Sequence, residues 1–404
     1  MSHEHGSSGG HTVPATFSGS EHAIPGAAPH GVARRRMRRP VLIAGALLLS
    51  GAVICGVQLT ANLGYDDALL SAQEAAADAE AAGRELERAA ADLAEAGALA
   101  ERVQAAVTDR LVDAGTTADL EQALSARSGA LDEAESALEP QLPTPPAKPA
   151  WPWELFAAQG ELIDLEKRAD ARHDEQRATT RTAQDTTQAL SDAAVGVAYT
   201  AAEASADFEA DHIDARNLDI IALRTAAETI TAAGVGLDAA LVEGYESLEA
   251  AADAMLRSEE SAHWAKSGPL RDARVEVESF ARSLAPGLLL DFEWSELVNG
   301  YGHGDSLGGR ATWWYAEPGY ATIELSDSVA REWPDDRSKA LVAHEVGHAI
   351  SVRCRELYDD TDAATVEDWA TAWAISMGYT DVANGTWAYG PPPQELVEIA
   401  SQCR

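Results

Sequence analysis

The sequence has little cysteine, few aromatic side chains and little positive charge. Its 404 residues include three cysteines and 6% aromatics, and 30 Lys and Arg stand against 66 Asp and Glu. So few cysteines exclude a disulfide-rich scaffold, and so few aromatics favour long helices over a large core. A net charge of −36 argues against nucleic acid as a partner, because the phosphates would be repelled.

Long apolar runs are also scarce, and only one is long enough to cross a bilayer. Residues 41–59, VLIAGALLLSGAVICGVQL, carry no charge and follow the basic run ARRRMRRP. As a helix this run would be about 28 Å long, close to the thickness of the hydrocarbon core. We expect a transmembrane anchor over 41–60. Because basic residues stay on the cytoplasmic side, residues 1–40 would form a disordered cytoplasmic tail.

The alternative is a secretory signal that is removed after export. The apolar run is long for a signal, and the following TANLGYDDA lacks a clear cleavage site with small residues. An uncleaved anchor is therefore favoured. The predicted location is the cell membrane, with a single span and the C-terminal part outside the cytoplasm.

Residues 65–139 are rich in alanine, with small and apolar residues spaced three and four apart. Such a seam predicts helices that pack closely, as in a coiled coil. It fits two arrangements equally, a stalk that pairs with a second chain in a homo-oligomer and one arm of a hairpin within the chain. Residues 140–152 hold six prolines, which predicts an extended linker. Residues 153–265 read as helical again.

Composition changes near residue 266, where glycine, proline and aromatics become more frequent. RATWWY (310–315) and YATIELS (320–326) read as two strands joined by the turn AEPG, with Pro318 and Gly319 at the centre of a type II turn. Residues 266–404 are therefore predicted to form a small α+β domain. The fold class is mostly α.

The segment ALVAHEVGHAIS, residues 340–351, carries the most specific chemical signal. Helical periodicity around it places His344 and His348 one turn apart on the same face, where both imidazoles can reach one ion. Zn²⁺ favours such ligands and keeps a fourth position open when it is catalytic. Glu345 is placed to take a proton from water at that position. Gly347 would let another backbone approach closely.

A third ligand is expected on a second helix, VEDWATAWAISMG, residues 366–378. Glu367 shares a helix face with two alanines, which would allow this helix to pack tightly and direct Glu367 at the metal. Asp368 is the rival ligand, although it projects about 100° away around the helix.

HEVGH together with the later EDWATAWA resembles the gluzincins, a group of zincin metallopeptidases with an HExxH motif and a downstream glutamate. The resemblance implies that His344, His348 and Glu367 are zinc ligands and that Glu345 is the general base. It also implies that YATIELS is an edge strand along which an extended substrate binds. Thr371 departs from the thermolysin-like pattern, which has an aspartate there to orient a histidine. The alternatives for that role are Asp359, Asp360, Asp362 and Asp368.

Three further residues are candidates for the same site. Tyr379 and Tyr389 follow the second helix, and either hydroxyl would be able to stabilise an oxyanion. His303 lies in a glycine-rich stretch and would line the cleft. Each of the three also has an ordinary interpretation, as a packing residue for the tyrosines and a solvated loop residue for the histidine.

Cys354 and Cys403 are the only two cysteines beyond the apolar run. In an oxidising compartment such a pair is expected to form a disulfide, the alternative being two buried thiols. The sequence as a whole predicts a membrane-anchored extracytoplasmic zinc metallopeptidase that hydrolyses polypeptides. The alternative is a helical scaffold or interaction protein with a non-catalytic zinc-binding domain.

Overall fold

The computed structural model describes residues 39–404 except 140, 233, 235, 305, 317 and 318, with the side chains of 39–50 also left out. The predicted tail thus lies almost wholly outside the described residues, as do two residues of the predicted type II turn. No helix in the described part of the chain is both long and apolar enough to cross a membrane. The predicted anchor begins in residues 41–50, whose side chains are not described.

The chain is mostly helical, as its composition predicts. From residue 39 onward, the described part of the chain has five helices before the C-terminal domain: α1 Arg39–Ala106, α2 Ala114–Leu138, α3 Pro152–Asp211, α4 Asn217–Ala232 and α5 Ala239–Ala265. Pro152 was predicted to belong to the linker, but it opens α3. The first turn of a helix tolerates proline because its N–H would have no partner there.

The alanine-rich seam of α1 packs within the chain. Gly64 lies against Gln159 and Gly83 against Gln176, so α1 and α3 run in parallel. α2 and then the linker connect the end of α1 to the start of α3. α2 packs on the second half of α1. The seam residues are buried: Ala72, Ala79, Leu86, Leu93 and Ala100. Of the two arrangements predicted for this seam, the described residues show the internal one.

The proline-rich linker lies along α1 in an extended conformation. Tyr65 donates a hydrogen bond from its hydroxyl to the Pro146 carbonyl at 2.6 Å, and Gln58 donates to the Ala150 carbonyl at 3.2 Å. Residues 141–149 form neither helix nor strand. The linker therefore packs beside the first half of α1, as α2 packs beside the second half.

The described residues of the C-terminal domain form a three-stranded sheet and six α-helices. Its elements are α6 Arg271–Leu284, β1 Leu289–Ser295, β2 Gly309–Trp313, β3 Tyr320–Ser326, α7 Asp327–Glu332, α8 Asp336–Ile350, α9 Ala363–Ser376, α10 Thr386–Tyr389 and α11 Gln394–Ala400. The predicted hairpin is confirmed, because β2 pairs antiparallel with β3. The alternation of β3 also holds, since Ala321, Ile323 and Leu325 are fully buried.

The strand order corrects one prediction. The sheet order is β1-β3-β2, so YATIELS (320–326) is the central strand and not an edge strand. β1, which the sequence did not suggest, pairs parallel with β3 and occupies its second side. β2 is the edge strand that contacts α8.

The two parts of the molecule are joined by a buried charge network. Lys266 is 3% exposed, and its Nζ lies 2.5 Å from Asp214 and 2.8 Å from Glu278. Asn217, at the start of α4, donates its backbone N–H to Asp291 of β1 at 2.8 Å and its side-chain amide to the Ala321 carbonyl at 2.9 Å. The start of α4 is therefore hydrogen-bonded to both β1 and β3.

The Cys354–Cys403 disulfide predicted from the sequence is confirmed. Cys354 lies in the middle of the 3-10 segment Ser351–Leu357 that continues α8, and Cys403 follows α11. Trp373 of α9 donates its indole N–H to the Cys403 carbonyl at 2.9 Å. The bond thus ties the end of the chain to the two helices that carry the candidate site.

Candidate metal centre

Two helices that touch through small residues bring the predicted ligands together. α8 carries His344 and His348, and α9 carries Glu367. A Cβ on Gly347 would lie 2.9 Å from the Ala370 carbonyl oxygen and 3.0 Å from its Cα, so only glycine fits at this crossing. The close approach that the sequence predicted for Gly347 is what lets Glu367 reach the histidines.

The three side chains converge on one point. Oε2 of Glu367 lies 3.2 Å from Nε2 of His344 and 3.2 Å from Nε2 of His348. The two Nε2 atoms are 3.1 Å apart, and potential ligand atoms of the trio lie within 4.8 Å of one another. Both histidines are buried, whereas Glu367 is partly exposed. Asp368, the rival ligand, is not a member of this group.

The backbone of a following loop orients His344. Its Nδ1 lies 2.9 Å from the Asn384 carbonyl oxygen and so donates its proton there, which leaves Nε2 of the neutral ring as an acceptor. Nε2 then faces a carboxylate oxygen, also an acceptor. A cation at the centre of the trio would satisfy both, and neutral histidine with a hydrogen-bonded second nitrogen is the form in which imidazole usually binds a metal.

Charge and burial act in opposite directions on the trio. Burial by itself raises the pKa of the Glu367 carboxyl, but the two imidazole rings beside it outweigh burial and hold that pKa well below its usual range. Burial lowers the pKa of His348 and so favours the neutral ring. His348 also stacks on Trp313 of β2, with ring centres 5.3 Å apart. Its Nδ1 has no hydrogen-bond partner among the described residues.

Gly385 closes the other side of His344. Its φ is +102°, and a Cβ there would lie 2.7 Å from Nδ1 of His344 and 2.2 Å from Oγ1 of Thr371. Thr371 stands where the gluzincin resemblance led us to look for an aspartate, and its hydroxyl donates to the Glu367 carbonyl at 2.9 Å. The hydroxyl oxygen is 3.4 Å from Nδ1 of His344.

The sequence did not predict the partner that orients His344. The loop carbonyl of Asn384 holds that position, whereas three of the proposed aspartates have other roles. Asp359 accepts hydrogen bonds from Thr361, and Asp360 pairs with Arg355. Asp362 caps α9 by accepting from the Ala364 N–H at 3.1 Å. Every residue has a backbone carbonyl, so the sequence does not indicate which one orients a histidine. Gly385, whose φ is positive, is the one residue of this turn that the sequence could have suggested.

Glu345 lies on α8, next to His344, and its side chain is buried, with 4% exposed. Burial raises its pKa to about 7, with the nearby Glu367 carboxylate adding to the shift and the neighbouring His344 opposing it. The Ala311 N–H of edge strand β2 donates a hydrogen bond to the carboxylate. A carboxylate with a pKa near neutrality is suited to both accepting and returning a proton.

His344 and Glu345 line a cleft of about 840 Å³. Its walls come from the loop before β2, the start of α8 and the turn around α10. Aromatic and apolar side chains line it with few charges: Tyr301, Leu307, Leu341, Val382, Trp387 and Tyr389, with Arg337 and His303. A cleft of this size and character suits an organic ligand or a short segment of polypeptide.

The two candidate tyrosines occupy different places. Tyr389 lines the cleft, and its ring stacks on His344 with centres 6.1 Å apart. Burial, followed by the charge of Glu367 and a hydrogen bond with it, raises the pKa of Tyr389 to about 12. Tyr379 instead packs edge-on against Phe280 in the core, 5.4 Å between ring centres. His303 lines the cleft and is exposed.

Comparison of the chain with protein-family models, with curated proteins and with solved structures finds no match. The chemistry of this site therefore has to be inferred from its own residues.

Proposed function

We propose that this protein is a zinc-dependent metallopeptidase that hydrolyses polypeptides outside the cytoplasm. The observation that carries the proposal is the meeting of His344, His348 and Glu367 at 3.1 to 3.2 Å beside the buried carboxylate of Glu345. Three protein ligands with nitrogen and oxygen donors are the set that a catalytic zinc uses. A structural site would close the fourth position and would have no need of an adjacent base.

The residues fit zinc by their chemistry. His344 presents Nε2 as an acceptor because Nδ1 donates to Asn384, and Glu367 is held ionised. A bound zinc would polarise the scissile carbonyl and lower the pKa of a water molecule at its open position.

The remaining roles fall to this chain's own groups. Glu345 would take the proton from the attacking water and pass it to the departing amine. Tyr389 would donate its hydroxyl to the developing oxyanion, which its high pKa permits because the phenol stays protonated at neutral pH. Edge strand β2 would offer backbone groups to an extended polypeptide, the role that the gluzincin resemblance implied for YATIELS.

The setting outside the cytoplasm rests on the sequence and on the disulfide. Residues 34–39 are strongly basic and residues 41–59 uncharged, which favours an anchor with the long remainder outside. A disulfide persists in an oxidising compartment. Attachment through residues 41–59 stays a prediction.

Zinc content and hydrolysis test the proposal together. The purified full-length chain should hold about one zinc per chain, digest an unfolded protein such as casein, lose activity with a chelator and regain it with zinc. His344→Ala should lose both metal and activity, and His303→Ala, an exposed histidine of the same cleft, should keep its metal. Stoichiometric zinc without hydrolysis under any condition would favour the scaffold alternative. Equal zinc in parent and His344→Ala would refute the site.

A further inference from the structure

An exposed aromatic group marks the N-terminal end of the helical bundle. Trp151 and Trp153 stack with ring centres 5.3 Å apart, and they are 57% and 65% exposed. Phe156, on the next turn of α3, is 48% exposed. Isolated exposed apolar residues are ordinary, but three large aromatics within six residues form a patch. We call Trp151, Trp153 and Phe156 the aromatic collar.

The collar is level with the end of the uncharged run of α1. Gln58 donates to the carbonyl of Ala150, directly before Trp151, and Gly64 lies against Gln159. The parallel alignment of α1 and α3 therefore sets the collar beside residues 56–62. The apolar run ends at residue 59, and the first charged residue of α1 after it is Asp66.

The surface of α1 at and before this level is exposed and apolar. Residues 51–57 are all exposed, with side chains that include Val53 at 63% and Ile54 at 64%. Charged residues begin at the collar itself, where Glu154 is exposed between Trp153 and Phe156. They continue beyond it with Asp66, which pairs with Lys148 at 2.6 Å. The collar thus lies at the border between an apolar surface and a charged one.

We infer that the aromatic collar is a lipid-interface contact, on which the helical bundle stands against the outer surface of a bilayer. Indole rings are stable at this level because the ring body is apolar and the N–H stays in contact with water or headgroups. The inference rests on the proposed membrane attachment and deepens it. It commits to lipid as the occupant because the collar continues the apolar surface of α1 and borders the first charges.

The same arrangement explains how the candidate peptidase domain is positioned. From residue 60 to Ala106, α1 would extend about 70 Å at 1.5 Å per residue. α5, whose Glu246 pairs with Arg102 near the end of α1 at 2.8 Å, leads into the C-terminal domain. A bundle seated at the collar would hold the cleft several tens of ångströms from the bilayer, within reach of polypeptides that are not bound to the membrane.

Quenching by brominated lipid tests the contact. The full chain is reconstituted in phosphatidylcholine vesicles with and without bromine on the acyl chains near the headgroup, and flotation establishes that the chain is bound. Tryptophan fluorescence should be quenched by the brominated lipid, and Trp151→Phe/Trp153→Phe should lose most of that quenching. Trp264→Phe is the matched control, because Trp264 is 79% exposed but lies at the far end of α5.

The outcomes separate the inference from the proposal on which it rests. A chain that does not float with vesicles refutes membrane attachment and this inference with it. A chain that floats but shows equal quenching in parent and double variant refutes the collar alone. Self-association that is lost in the double variant, without quenching in the parent, would show that a second copy covers the collar and would also overturn the inference. None of these outcomes bears on the proposal that the protein hydrolyses peptide bonds.

Discussion

Gly309, the first residue of edge strand β2, lies directly over the carboxylate of Glu345. A Cβ at Gly309 would come within 2.3 Å of Oε1 and 2.7 Å of Cδ of Glu345. The strand and the proposed base are therefore fitted to each other, since the Ala311 N–H of the same strand donates to that carboxylate. Glycine at 309 is a requirement of the site, because any side chain would displace the carboxylate or the strand.

Gly309→Ala should consequently lower peptide hydrolysis by at least about tenfold while zinc content stays unchanged, since misplacing a reacting group by an ångström is costly. Gly319→Ala is the control in the same hairpin, because a Cβ there meets nothing within 4 Å. The hydrolysis rate and the zinc content of both variants and of the parent are the measurements that test this prediction. Full activity in Gly309→Ala would show that the carboxylate does not need its present position.

Glu345→Gln removes the proposed base and leaves the ligands in place. We expect zinc to be retained and hydrolysis to fall by roughly 10² to 10⁴, the usual contribution of a general base. Zinc content and the rate of casein digestion are the readouts. Activity close to that of the parent would contradict the role assigned to Glu345, whereas loss of zinc would mean that the variant disturbed the trio.

The tyrosines provide a matched pair of variants. Tyr389→Phe removes a hydroxyl beside Glu367, and we expect kcat to fall by roughly 10² with a smaller change in KM, as for the loss of one oxyanion donor. Tyr379→Phe retains the packing on Phe280 and should leave the rate unchanged. If both variants behave alike, the assignment of Tyr389 is wrong.

The sequence predicts those features of the site that depend on spacing within a single helix. Helical spacing fixes His344 and His348 on one face, and the alanine face of α9 identifies Glu367, because both rules act within one element. Contacts between distant elements have no such signal. Gly309 meets Glu345 across 36 positions of sequence, and the Asn384 carbonyl reaches His344 across 40.

The sheet was predicted only in part for the same reason. The hairpin of β2 and β3 has a local signal, since both strands and the turn are adjacent in sequence. The parallel pairing of β1 depends on a connection of about 25 residues, and the alternation of YATIELS is the same in a central strand as in an edge strand. The pattern therefore identified a strand but could not show what lay on its second side.

Removal of the disulfide should destabilise the C-terminal domain without abolishing its site. The bond spans a sequence separation of 49, for which the chain-entropy relation gives about 4 kcal/mol. Cys354→Ser/Cys403→Ser should therefore lower the free energy of unfolding by about 2 to 4 kcal/mol in urea titrations. Parent protein with a reducing agent serves as the control and should shift to the same midpoint. An unchanged midpoint in both would exclude a stabilising bond.

Asp291, on β1 at the junction with the helical bundle, should make stability depend on pH. Burial raises its pKa to about 6 against an ordinary 3.8, although the Asn217 N–H and the charges of Arg216 and Arg282 oppose the shift. The folded state thus binds the proton more tightly than the unfolded chain. The stabilising effect of that proton is complete below about pH 4 and is lost as the pH rises to about 6.

Asp291→Asn tests this effect, because an amide oxygen can still accept from the Asn217 N–H and carries no charge at any pH. The variant should gain about 1 to 3 kcal/mol over the parent at pH 7, from a shift of about two pKa units, and the gain should shrink towards zero near pH 4. Urea titrations of both proteins at several pH values between 4 and 8 provide the measurement. A gain that is the same at every pH would show that titration of Asp291 is not its cause, whereas a loss at pH 7 would mean that the neighbouring arginines stabilise the Asp291 carboxylate at the junction.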